Sequence, residues 1–164
     1  MRTKLSPLPL LALALAVAAP TPASAAAVLQ RSQGRVATTV SLGGGLEAGS
    51  TSNGLGELEL TVGYELRDLR PELGIVLGLA PNEHTALRPG VHLDLAELPA
   101  YGRAGLDFSN VRDGWKLRWV FLGVGAETRL TSEMGAFVEA DAGLPMASDY
   151  GLALMLRAGF SLRF

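Results

Sequence analysis

The last stretch of the chain, Gly151 to Phe164, alternates strictly. Leu152, Leu154, Leu156, Ala158, Phe160, Leu162 and Phe164 form one register and are all apolar. Ala153, Met155, Arg157, Gly159, Ser161 and Arg163 form the other, which holds both arginines. Period two is the signature of a strand, because successive side chains point to opposite faces. The same alternation recurs upstream. It predicts strands over Arg35–Glu47, Leu58–Leu66, Leu73–Leu79, Val91–Ala96 and Ala100–Phe108, then over Trp115–Arg129 and Ala136–Gly143. With the last stretch this makes eight. In Trp115–Arg129 the register slips: Trp115, Leu117, Trp119 and Phe121 share one face, whereas Leu122, Val124 and Ala126 carry the apolar face further on. A bulge near Phe121 and Leu122 would reconcile the halves.

The segments between strands are polar and rich in turn formers. Residues 48–53, 81–88, 109–114 and 144–150 read as longer loops, and 68–71, 96–99 and 130–133 as short turns. Alternating long and short connections predict an up-and-down sheet. Transmembrane barrels have an even strand number, short periplasmic turns and longer outer loops. Both termini would lie on the short-turn side.

The first 25 residues read as a signal peptide. Arg2 and Lys4 supply the positive start, Leu8–Ala18 the apolar run, and Ala23-Ser24-Ala25 a small-x-small cleavage site at Ala23 and Ala25. The run is shorter than the roughly 20 residues that a membrane-spanning helix needs. Residues 26–34 read as a short lead-in and 35–164 as one barrel domain. Removing residues 1–25 takes Arg2 and Lys4 from the 14 basic residues and none from the 16 acidic ones. The remainder carries a formal charge of −4, two below the −2 of the whole chain. This acidic balance argues against a nucleic-acid partner. With no cysteine, disulfides and a lipid-modified cysteine are excluded. After residue 25 no apolar run is long enough for a spanning helix, so crossing a membrane requires a closed barrel.

One face of each strand is Leu, Val, Ile, Ala and aromatic. The other carries Glu59, Glu65, Asp94, Arg103, Asp107, Glu127, Arg129, Glu139, Asp141, Arg157 and Arg163 among glycines and serines. A soluble ligand-binding barrel would turn the apolar face inward, and a membrane barrel turns it to lipid. Three features favour lipid. Glycine crowds the polar face, as suits a narrow lumen. Acids and arginines share that face, so buried charges can pair. Tyr64, Phe108, Trp115, Phe160 and Phe164 lie in the apolar register near strand ends, as interfacial aromatic girdles do. Trp119 and Phe121 sit deeper and break that rule.

With these features the chain resembles the small eight-stranded outer-membrane β-barrels of the OmpA/OmpX type. The resemblance covers residues 35–164. It rests on the architecture and on the terminal pattern Leu156-x-Ala158-x-Phe160-x-Leu162-x-Phe164. It implies that Phe160, Leu162 and Phe164 form the signal read by the barrel-assembly machinery. Tyr is common in that family where Leu162 stands. The implied setting is the outer membrane of a Gram-negative-type envelope, with outer-membrane lipid as surroundings and a monomeric state; no appended peptidoglycan-binding domain is expected.

Some barrels of this size are lipid-modifying enzymes, so the candidate chemistry needs weighing. His92 lies two residues from Asp94 on the lumen face, a loose base-and-carboxylate pair. No serine is evidently placed for activation, and a simple lumen hydrogen bond explains the pair. The His-x-Ser pattern of the lipid A deacylase barrels is absent. His84 falls in a polar segment and reads as solvated. Acids interleaved with arginines read as ion pairs, not as a metal site. Gly43-Gly44-Gly45 has no following lysine or helix and is not a phosphate loop. No catalytic, metal or cofactor site is expected. The leading expectation is a structural or interaction barrel with a charge-plugged lumen. Behind it stand a narrow pore for small solutes, a lipid-modifying enzyme and a secreted lipocalin-like binder of apolar ligands.

Overall fold

The computed structural model describes residues 34–49, 52–81, 83–95, 98–110 and 114–164. The expected signal peptide, with Ala23 and Ala25, and all but Gly34 of the lead-in lie outside the described residues. Eight strands follow one another: β1 (Val36–Ala48), β2 (Asn53–Tyr64), β3 (Leu69–Ala80), β4 (His84–Asp94), β5 (Ala100–Asn110), β6 (Trp115–Arg129), β7 (Met134–Pro145) and β8 (Leu152–Arg163). Each pairs antiparallel with the next, and β8 returns to β1, closing the barrel. The closing register runs from Ala37 opposite Arg163 to Ala48 opposite Leu152. Phe164 adds one more bond, donating its amide to the Val36 carbonyl at 3.0 Å. Closure leaves no strand edge with unpaired backbone groups, which lipid could not satisfy.

Exposure follows the alternation. Along β8, even positions from Leu152 to Leu162 are exposed and most odd positions are buried. On β2, Leu58, Leu60, Val62 and Tyr64 are exposed, whereas Glu57, Glu59 and Thr61 are buried. The wall therefore presents leucines and valines outward on every side, with exposures from 36% at Leu87 to 66% at Val124. Soluble monomers rarely expose a contiguous apolar patch of more than a few hundred Å². An apolar band encircling a closed barrel matches the hydrocarbon of a bilayer. Tyr64, Phe160 and Phe164 sit outward near the end holding both termini, and Trp115 near the opposite end.

Several strands run further than composition suggests. Residues 84–88 belong to β4 and not to a loop, because Thr85 and Leu87 face out while Ala86 and Arg88 face in. β2 begins at Asn53, β3 at Leu69, β5 reaches Asn110 and β7 reaches Pro145. The expected contrast between long and short connections shrinks accordingly. Residues 49–52, 81–83, 111–114 and 146–151 join strands at one end, against 65–68, 95–99 and 130–133 at the other.

The bulge in β6 also lies elsewhere. Asp107 pairs with Trp119 and Phe108 with Leu117, so Arg118 is the extra residue. Arg118 and Trp119 are both buried although they are consecutive. From there on Trp119 and Phe121 point inward, at 0% and 5% exposure. They are lumen residues, and this removes the two exceptions to the girdle rule.

A charged lumen as the candidate functional site

The interior of the barrel holds three layers. The middle one is built on Glu59, at the centre of β2, which faces three arginines from three other strands. Arg88 of β4 donates to Glu59 at 2.9 Å and Arg103 of β5 at 2.5 Å; Arg157 of β8 bonds it as well. Each arginine then spreads to further carboxylates. Arg88 reaches Glu57 at 2.7 Å and Asp107 at 3.0 Å. Arg103 reaches Glu72 at 2.5 Å and Glu139 at 3.1 Å. Arg157 has Asp141 at 2.7 Å and Glu57 at 3.7 Å. The Arg157 Nε and Asp141 Oδ2 atoms lie close but out of line, and neither makes a hydrogen bond. A guanidinium carries five donors in a rigid fork, so one arginine can serve several carboxylates at once. Arg88 also lies over the Phe121 ring, 4.2 Å from its centroid, a cation–π contact. Burying a charge costs several kcal/mol unless good partners surround it, and here every arginine of the layer has at least three.

The layer nearest the termini is tied by Arg163. Its guanidinium reaches Glu65, just past β2, and Glu127 of β6, both at 2.7 Å. Ser161 donates to Glu127 at 2.5 Å and accepts from Arg163 at 3.0 Å. Beside this cluster, Arg70 places Nη2 2.8 Å from His92 Nδ1, and His92 Nε2 lies 3.2 Å from Asp94. Arginine can only donate, so Nδ1 is the acceptor and the ring hydrogen sits on Nε2, facing Asp94. His92 also stacks on Tyr101, with centroids 4.1 Å apart. Both ring nitrogens are engaged within the chain, and neither faces a nucleophile.

The third layer closes the opposite end. Arg118 reaches Glu47 at 3.1 Å and lies over the rings of Trp119 and Tyr150, at 3.7 and 4.9 Å. Trp119 Nε1 donates to the Gly151 carbonyl, and the Gly151 amide donates to Glu47, each at 2.9 Å. Beneath them Leu55, Trp119, Phe121, Ala153 and Met155 form an apolar cluster. His84 lies inside this layer, 3.4 Å from Arg118, and not in a solvated loop.

The cavities lined by described residues are small. A cavity of about 30 Å³ sits at the terminal end between Asp94, Tyr101, Glu127, Arg129 and Arg163. Two more of about 10 Å³ each lie deeper. Spaces of this size suit single water molecules. Among the described residues no group of three or more His, Asp or Glu is arranged to hold a metal ion.

The solved structures most useful for comparison are all small barrels. The N-terminal β-barrel domain of Pseudomonas aeruginosa OprF superposes with a TM-score of 0.60 at 15% identity, covering 80% of this chain and 100% of that one. Neisserial surface protein A gives 0.56 at 15%, covering 79% and 97%. A barrel from the de novo design of transmembrane β-barrels gives 0.59 at 14%, covering 82% and 98%. The chain has the fold of a transmembrane eight-stranded β-barrel. No protein-family model and no curated protein sequence matches it.

Of the eleven charges expected in the lumen, the structure brings Glu59, Arg103, Asp107, Glu139, Asp141 and Arg157 into the middle layer. Glu65, Glu127 and Arg163 form the terminal layer, Asp94 holds His92, and Arg129 lines the terminal cavity. Glu47, Glu57, Arg70, Glu72, Arg88 and Arg118 are the members that composition hid. Strand parity reaches most of them. Extending Leu60-x-Leu58 backward puts Glu57 inside, and extending Val91-x-Pro89-x-Leu87 does the same for Arg88.

Proposed function

We propose that the chain is an outer-membrane β-barrel protein with a structural or interaction role, a lumen closed to solutes and no catalysis. The observation that carries this reading is Glu59 bound by three arginines at mid-barrel, with further carboxylates on every arginine. A solute would have to break several buried ion pairs to pass, and the apolar cluster around Trp119 lies in series with them. Outer-membrane placement draws on the encircling apolar face and on the likeness to the OprF domain and Neisserial surface protein A. It also fits the signal-peptide pattern of residues 1–25 and the terminal Phe160, Leu162 and Phe164, which resemble the pattern read by the assembly machinery. Export by that leader to a Gram-negative-type envelope, folding as a monomer in outer-membrane lipid and no contact with nucleic acid complete the reading. The connections of three to six residues leave little room for elaborate recognition loops.

The test is conductance. The purified barrel reconstituted in planar bilayers should give no stable current steps above the lipid background. Reproducible ohmic steps from the folded protein would replace this reading with that of a narrow pore.

A further inference from the structure

The backbone ladder is interrupted at one place in mid-barrel. Between β4 and β5, Leu87 pairs with Phe108 and Gly90 with Gly105, but no pairing joins Arg88 and Pro89 to Leu106 and Asp107. Among the described strands, no other neighbouring pair lacks two successive pairings within its register. The cause can be read from the direction of the amides. Asp94 donates to Asp68 on the β3 side, and Leu95 donates to Ala100 on the β5 side. Odd-numbered residues of β4 therefore face β5, and Pro89 stands where Leu106 needs a donor. Proline has none.

Three neighbouring features weaken the same line. Gly90 faces Gly105 with no side chain on either strand, and a Cβ on Gly90 would fall 2.7 Å from the Ala104 carbonyl oxygen. On its other side β5 meets the bulge at Arg118, directly opposite Asp107. Behind the gap lies one of the 10 Å³ cavities, bordered by Pro89, Gly105, Arg88 and Asp141. What spans the gap is a side-chain bridge: Arg88 Nε donates to Asp107 Oδ2 at 3.0 Å, from β4 to β5 inside the lumen.

We propose that the β4–β5 seam is the line along which the barrel parts locally, admitting water to the mid-barrel charges, and that the Arg88–Asp107 pair is its latch. Pro89 withholds a donor from the Leu106 carbonyl but keeps its own carbonyl in register with the Leu106 amide, so the readout is the neighbouring amides of Ala104 and Phe108. They flank the gap and are paired with Val91 and Leu87. Their counterparts in the closing seam are Leu42 and Ala158, which pair with each other.

Amide exchange of the full barrel in lipid nanodiscs, followed by NMR, should find Ala104 and Phe108 exchanging about tenfold or more faster than Leu42 and Ala158. Asp107→Asn should widen that ratio without changing the β1–β8 amides. Pro89→Ala restores the donor and should bring Ala104 and Phe108 toward the closing-seam rates. Equal rates at the two seams in the unmodified barrel overturn the proposal. So does a uniform acceleration by Asp107→Asn, or no slowing by Pro89→Ala. Should Asp107→Asn fail to insert, the unmodified barrel and Pro89→Ala decide the matter.

Discussion

Glu59 on β2 and Arg88 on β4 meet at 2.9 Å across a strand that separates them in the sheet. Glycine at position 74 makes the contact possible: a Cβ there would fall 2.5 Å from Glu59 Oε1. The glycines of the inner face thus give the long charged side chains room to cross the lumen. Glu59 then serves three arginines, and its loss should be felt by all of them. Glu59→Ala should lower the unfolding free energy in lipid or detergent by about 3–5 kcal/mol, the usual cost of stranding a buried charge. Glu133→Ala, at an exposed turn, should stay within about 0.5 kcal/mol. Urea titration of both variants measures the difference.

The position of the bulge in β6 decides which way the two tryptophans point. Trp115 is 52% exposed on the outer wall, and Trp119 is fully buried in the lumen. Each can be isolated by converting the other to phenylalanine. Bromine-labelled lipid should quench the fluorescence of Trp119→Phe, which retains Trp115, and barely affect Trp115→Phe. Equal quenching would put Trp119 back on the lipid face and the bulge near Phe121.

Leu156 and Ser161 test the two faces of β8. Leu156 is 47% exposed on the apolar wall, so Leu156→Arg should cost about 2–4 kcal/mol if it faces mid-bilayer lipid and reduce assembly. Ser161 is not a tolerant site, although it is small. It holds Glu127 and Arg163, and Ser161→Ala should cost about 1–3 kcal/mol by leaving those charged partners short of a hydrogen bond. Denaturant unfolding of both variants measures these costs.

His92 bears on the enzyme alternative. With Nδ1 facing Arg70 and Nε2 facing Asp94, His92→Ala should leave lipid A composition and lipase activity unchanged while lowering stability. A changed lipid profile at normal protein levels would reinstate catalysis.

The eight strands, their order and the outward face of nearly all of them were legible in the alternation, because a lipid-facing row cannot afford a charge. The inner row was harder. Residues 81–88 contain proline and a run of polar side chains, so composition could not tell a solvated loop from a lumen-facing strand end, and Arg88 was missed. Arg118 was missed for another reason. A bulge breaks parity, and nothing local says where the extra residue falls; only the pairing of Asp107 with Trp119 and Phe108 with Leu117 fixes it. Which acid meets which arginine depends on the shear of the closed sheet, a property of all eight strands together.

A barrel closed in a membrane with its apolar face outward is tested most directly by electrophoretic mobility after membrane fractionation. The protein should sediment with the outer membrane and, in SDS, run at a different position unboiled than boiled, because the closed barrel resists the detergent until heated. A freely soluble periplasmic protein with one heat-independent band would contradict it.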